Sequence, residues 1–184
     1  LHMKDVNETA ETVMTAYPNY LVKKVMWDAY TRIGTSTGFT YPEVSSVIKQ
    51  QQAQGALIMD YAGHGSEIQI SHEAVLRITD FQNFTNAHLP LWITASCDIM
   101  PFDGTIATIG EEAMLNKKGG SVAFWGTTRT VYASYNKHIN TAFLKHVLSF
   151  KEGKPTTLGE AQRLAKIDMI STGQDQTLNK LQYS

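Results

Sequence analysis

The residues best suited to covalent chemistry are the single cysteine, Cys97, and a histidine set between glycines in Gly63-His64-Gly65. A histidine beside a cysteine can take the thiol proton, or pair as imidazolium with a thiolate. Either arrangement makes a nucleophile of a group whose free pKa is about 8.5. The two residues are 97 − 64 = 33 positions apart, room for one crossover between neighbouring parallel strands. Gly63 and Gly65 let the backbone turn sharply at a strand end. The N–H groups of Gly65 and Cys97 would then offer two donors to a developing oxyanion. Plainer readings stand beside these. A lone cysteine is most often a small buried hydrophobe, and Gly-His-Gly can be just a turn with a solvated histidine.

Other cysteine and glycine-loop chemistries fail on spacing. A cysteine phosphatase wants arginine six residues after the nucleophile, and that position is Asp103. A thioredoxin-type pair needs a second cysteine. The phosphate-binding pattern of Gly, four residues, then Gly-Lys-Ser/Thr is absent. His64, His72 and Cys97 are conceivable zinc ligands, but they fit no common spacing and have no obvious fourth partner. No metal or cofactor is therefore expected. Acyl transfer through Cys97 and His64 is the chemistry that the residues support best.

Positioning these groups falls to short apolar runs that alternate with helical patterns. Four runs read as strands: residues 21–27, 56–61, 89–95 and 121–125. Each is nearly continuous, as expected of strands covered on both faces. Helices are predicted over residues 5–17, 41–54, 80–84 (with Thr79 or Asp80 as cap), 109–115, 136–150 and 158–170. The last opens on Thr157 with Glu160 three residues later, a capping box. Residues 67–70 and 74–78 suggest a hairpin beside the site. This alternation means an α/β fold with a mainly parallel sheet. In such sheets ligands bind at the carboxyl ends of the strands, where His64 follows the second run and Cys97 the third.

Composition narrows the function classes. The chain has 184 residues, 42% hydrophobic and 18% charged, with 16 basic against 17 acidic side chains. That length suits one domain, residues 1–184, with a core that needs no staple. The balanced charge argues against a nucleic-acid partner. No run approaches the roughly 18 apolar residues of a membrane span. One cysteine excludes a disulfide scaffold and leaves the compartment open. The opening Leu1-His2-Met3-Lys4 lacks the regions of a secretory signal. The closing residues supply no final element, so the chain reads as a piece of a longer protein, truncated at both ends.

At the two reactive blocks the sequence resembles the gingipain family of cysteine peptidases. The matching stretches are Asp60-Tyr61-Ala62-Gly63-His64-Gly65-Ser66 and Leu89-Pro90-Leu91-Trp92-Ile93-Thr94-Ala95-Ser96-Cys97. Further likeness lies in Ile109-Gly110-Glu111-Glu112-Ala113 and Lys118-Gly119-Gly120-Ser121-Val122-Ala123. It continues in Thr127-Thr128-Arg129-Thr130-Val131-Tyr132-Ala133-Ser134 and Gly153-Lys154-Pro155-Thr156-Thr157-Leu158-Gly159-Glu160-Ala161. The later stretches are most similar to the family's sortase branch, from the type IX secretion system of Bacteroidetes. The resemblance implies a three-layer caspase-like fold, with Cys97 as nucleophile and His64 as general base and acid. It implies an oxyanion hole from the Gly65 and Cys97 amides, and a substrate pocket lined by Ala62, Ala95 and Tyr132. It also implies protein substrates, other secretion-system components as partners, and a place at the cell surface or outer membrane. Two departures limit it. The family's acidic orienter of the histidine precedes the first helix, and the chain starts after that point. The acid of an Arg-specific pocket would fall near His2, so Arg specificity is not implied.

The remaining polar residues have bland readings. Asp98 would raise the pKa of its neighbour Cys97 and reads better as a loop-ordering residue. Glu67 lies three residues past His64, at the rim of the site or simply solvated. Glu111 and Glu112 suit a helix N-terminus. His72, His88, His138 and His146 show no partner by spacing. Trp27, Trp92 and Trp125 read as strand core. A non-catalytic relative, kept as a binding or scaffold module, remains the rival from another class.

Overall fold

The computed structural model describes residues 2–174 and 179–184, so the first residue lies outside the described set. In chain order the elements are α1 (His2–Ala16), the ribbon β1 (Ile33–Thr35) and β2 (Gly38–Thr40), α2 (Pro42–Gln54) and β3 (Ile58–Ala62). A small hairpin follows, β4 (Gln69–Ile70) and β5 (Leu76–Arg77), then α3 (Ile78–Asn83) and β6 (Leu91–Ala95). After these come α4 (Ile109–Leu115), β7 (Ala123–Trp125), α5 (Ala133–Val147), the ribbon β8 (Phe150–Lys151) and β9 (Lys154–Pro155), and α6 (Leu158–Ser171).

The central sheet is parallel, in the order β3-β6-β7. Side chains alternate across it with the period of two that a strand imposes. Leu91 and Ile93 pack with Trp125, Ile139, Phe143, Ala161 and Met169 on the side of α1, α5 and α6. Trp92 and Phe124 pack with Phe81, Phe84, Ile109 and Ala113 on the side of α3 and α4. Both faces of β6 are thus covered, which explains its unbroken apolar run. At the far edge the chain end adds to the sheet, with Tyr183 bridging Thr127 in antiparallel sense.

Helix starts follow local chemistry. Thr108 and Glu111 cap α4 reciprocally: the Thr108 hydroxyl accepts from the Glu111 N–H at 3.3 Å, and the Glu111 carboxylate accepts from the Thr108 N–H at 2.9 Å. Pro42 sits in the first turn of α2, where its missing N–H costs nothing. At α6 only half of the expected box forms, since the Thr157 hydroxyl accepts from the Glu160 N–H while the Glu160 carboxylate turns to Arg163. For α3 the cap position is Arg77 rather than Thr79 or Asp80. Asp80 instead reaches back from the first turn and accepts from the Arg77 N–H at 2.7 Å.

The largest departure from the sequence reading is residues 21–27. No strand forms there, and Trp27 opens a short 3-10 turn, Trp27–Ala29. A strand needs a partner for its backbone groups, and among the described residues none lies alongside. Leu21 is 99% exposed, and Lys24 is tied instead to Asn7 and Glu11 of α1. Trp27 consequently stacks on Tyr61 from outside the sheet, while Trp92 and Trp125 are core as expected.

One buried polar network locks α2 to the sheet. The Trp92 indole N–H donates to Gln52 Oε1 at 3.0 Å, and Gln52 Nε2 donates to the Gly120 carbonyl at 2.7 Å. Asn86 closes the network by accepting from the Gly120 N–H and donating to the Gly120 carbonyl. Gly120 sits at φ +94, where a Cβ would meet the Ala113 carbonyl at 2.1 Å. Gln52 is fully buried, so truncating it strands the indole donor and opens a cavity. Gln52→Ala is expected to lower stability by about 2–4 kcal/mol in urea unfolding.

Candidate active site

The carboxyl ends of β3 and β6 meet in strict register. Ile58 pairs with Leu91, Asp60 with Ile93 and Ala62 with Ala95. The Gly63 N–H extends the ladder one step, donating to the Ala95 carbonyl at 3.3 Å. His64 and Cys97 each stand two residues beyond the last pair, at the same level of the same sheet edge. The close approach of the two loops explains Gly65. A Cβ there would fall 2.4 Å from Ser96 Oγ and 2.5 Å from Ile99 Cδ1.

His64 is exposed, and its backbone is pinned. Its carbonyl accepts from the Tyr61 hydroxyl at 2.7 Å and from the Ser71 N–H at 2.8 Å. Gly65 forms an antiparallel bridge with Ile70. The bonds around that bridge are made by His64, Ser66, Gln69 and Ser71, so the Gly65 amide points away from the hairpin. The His64 ring makes edge contacts with His2 at 4.9 Å and His72 at 4.7 Å. Burial lowers the pKa of His2, and the neighbouring His64 charge adds to that. His72 is therefore a neighbour of the site, a contact that sequence spacing did not reveal.

Cys97 is half-buried, and its thiol donates to the Val131 carbonyl at 3.4 Å. Among the described residues no hydrogen bond joins it to His64. The cysteine turn is zipped to the loop after β7: Asp98 N–H donates to the Arg129 carbonyl and Met100 N–H to the Thr127 carbonyl. Asp98 adopts φ +49, and its carboxylate accepts from the Thr130 hydroxyl at 2.9 Å. That is the loop-ordering role expected of it. Arg129, fixed by Asp103, braces the same loop.

The other sequence candidates scatter. Ala62 lines a cavity of about 710 Å³ that runs along the open edge of β3, between α1, residues 20–28 and the His64 loop. Ala95 is buried on β6. Tyr132 is exposed at the start of α5, its N–H held by Asn179. Glu67 offers its carbonyl to the N–H of Ile109 at the head of α4. His146 does have a partner, Asp168 of α6 at 2.7 Å, which 22 residues of separation concealed. Among the described residues no three His, Cys, Asp or Glu side chains are gathered to hold a metal, and no helix is long and apolar enough to cross a membrane.

One residue of the site region was missed. Asp60 interrupts the apolar run of β3, and both its oxygens lie 3.1 Å from Asn140 Nδ2. Burial pushes Asp60 up to about 7, against the opposing hydrogen bond from Asn140. Between about pH 4 and 7 the folded chain keeps a proton that the unfolded chain has released. This group therefore makes stability fall as pH rises through that window and level off above it. Asp60→Asn should raise Tm relative to the parent at pH 8, with the advantage shrinking toward pH 4. A pH-independent difference in thermal melts would contradict the assignment.

The family model of peptidase family C25 matches residues 2–184. Among solved structures, the complex of the pro- and mature domains of RgpB from Porphyromonas gingivalis is similar, at TM-score 0.70 and 18% identity. That match covers 93% of this chain and 38% of that one. The Arg-specific cysteine proteinase gingipain R (RGPB) gives TM-score 0.66 and 17% identity, covering 97% and 39%. A third structure, described only as a protease, gives 0.55 and 17%, covering 70% and 32%. The chain thus spans less than two fifths of each. At these identities the likeness shows the fold, a parallel sheet flanked by helices as in gingipain. A search of curated proteins finds no match.

Proposed function

The chain belongs to peptidase family C25, and from that premise we propose that it is a gingipain-type cysteine endopeptidase working through Cys97 and His64. His64 takes the thiol proton as general base, and the thiolate attacks a peptide carbonyl. The tetrahedral oxyanion is held by the N–H groups of Gly65 and Cys97. His64 then protonates the departing amine, leaving a thioester on Cys97 Sγ. Water releases the acid, or an incoming amine completes a transpeptidation. By the family resemblance, Ala62, Ala95 and Tyr132 are assigned to the pocket for the residue before the cut, although Ala95 is buried and Tyr132 exposed in the structure. The substrates are exported precursors whose C-terminal secretion domain is removed at the outer membrane surface. In this the chain resembles PorU, the type IX sortase, acting beside other secretion-system components.

The observation that carries the reading is the β3–β6 register, which leaves His64 and Cys97 level with one another. A second reading, a binding or scaffold module that has kept the two residues, is favoured by the thiol's hydrogen bond to Val131. In the catalytic reading the thiol leaves Val131 by rotation about χ1, a change between staggered wells.

Alkylation separates the two. At pH 6 Cys97 should react with iodoacetamide about tenfold faster than free cysteine, as an activated thiolate does. Equal or slower reaction excludes activation. In the whole protein His64→Ala should lower kcat/KM for precursor cleavage by about 10³-fold or more, and unchanged processing would remove His64 as the base.

A further inference from the structure

The His64 ring lies between two other imidazoles. The ring of His2 on α1 has its centroid 4.9 Å away, and that of His72, in the turn between β4 and β5, 4.7 Å away. The ring planes are steeply inclined, at 79° and 69° to His64. All three side chains border the cavity beside β3, and His64 and His72 are both exposed. The base-and-acid role of His64 makes no use of His72.

The His64–His72 pair is built by the hairpin. The Ser71 N–H donates to the His64 carbonyl at 2.8 Å, and Gly65 bridges Ile70, so the two histidine backbones are held side by side. Ser71 at φ +69 and Ala74 at φ +48 flank the turn that carries His72. Residues with a Cβ hold that conformation at a cost of about 1–3 kcal/mol each, and persist where their surroundings enforce it. The Ala74 N–H closes the turn on the Ser71 carbonyl at 3.2 Å. His2 is partly buried on a separate element, and among the described residues no backbone bond ties it to the His64 loop.

The spacing of the pair matches two imidazoles on one metal ion. With Zn–N bonds of about 2.0–2.1 Å and a ring nitrogen about 1.1 Å from its centroid, bond angles from square to tetrahedral put two centroids about 4.5–5.2 Å apart. Imidazole nitrogen suits zinc, copper and nickel rather than magnesium or calcium. Glu73, next to His72 on the same cavity, adds a carboxylate that favours a cation. Sequence spacing spoke against zinc for want of further ligands, yet the fold brings His64 and His72 together. Among the described residues no three ligand side chains converge, so water fills the ion's remaining positions.

We propose that His64 and His72 chelate a divalent transition-metal ion of the zinc class, and that the bound ion silences the site. A neutral imidazole has one nitrogen lone pair. Once that pair is given to the metal, it cannot take the thiol proton of Cys97. The step is coordination alone, since zinc undergoes no redox change. The metal pair rests on the ring geometry, whereas its effect on Cys97 rests on His64 being the base proposed above.

The test is calorimetric titration with ZnCl2 at pH 7, on protein carrying Cys97→Ser so that the thiol is not a competing ligand. One ion should bind per chain. Adding His64→Ala or His72→Ala should weaken binding about tenfold or more, at least what loss of an outer-shell partner costs. His72→Gln, which keeps a polar side chain without the ring, should match His72→Ala, and His2→Ala should leave binding intact. No binding, or binding that survives His72→Ala, overturns the inference. With Cys97 restored, ZnCl2 should slow iodoacetamide alkylation of Cys97 in the parent and spare His72→Ala, each compared with its own zinc-free rate. Equal slowing of both places zinc on the thiol and overturns the silencing. Binding that depends on both histidines but leaves Cys97 alkylation unchanged overturns His64 as the base while the metal pair stands.

Discussion

Parallel hydrogen bonding between β3 and β6 is the constraint on which the site depends. Five residue pairs, from Ile58 with Leu91 to Ala62 with Ala95, fix the height at which both loops leave the sheet. A slip of one position would turn Ile93 and Trp92 to the wrong faces, exchanging the contents of two separate apolar clusters. The cost of that exchange is several buried side chains at roughly 1.5–3 kcal/mol each. Core packing far from the chemistry therefore sets the level of His64 against Cys97.

Above the ladder the two loops are held by different means. The His64 loop is fastened from its own side, by Tyr61, by Ser71 and by the β4–β5 hairpin. The Cys97 turn is fastened from the other side, by backbone bonds to residues 127–131 and by the thiol's bond to Val131. Glycine at position 65 lets the loops close on each other. Each side is thus fastened by its own set of bonds. Beneath them Asp60 and Asn140 form a hydrogen-bonded polar pair.

Much of this was legible in the amino-acid order. The runs that became β3, β6 and β7 were readable because strands covered on both faces are continuously apolar, and the Thr108–Glu111 cap of α4 agrees with its reading as a helix start. The resemblance to the gingipain family was legible too, since it rests on blocks at strand ends. Residues 21–27 misled because β-forming composition describes what a strand can bury, not whether a partner lies beside it. The His72 contact and the His146–Asp168 pair were hidden for a related reason. Each joins residues brought together only by tertiary packing, at separations with no periodic signal. Asp60 did leave a trace, as a charge inside the apolar run that became β3. Its meaning needed Asn140, 80 residues away.

The most direct measurement of the central claim is covalent trapping with a peptide-derived acyloxymethyl ketone, read by mass spectrometry of the intact protein and of its peptides. Cys97 made nucleophilic by His64 predicts one adduct per chain, on Cys97, that forms in the parent and is largely lost in His64→Ala. No adduct in the parent, or equal labelling with and without His64, would contradict a working Cys97–His64 pair.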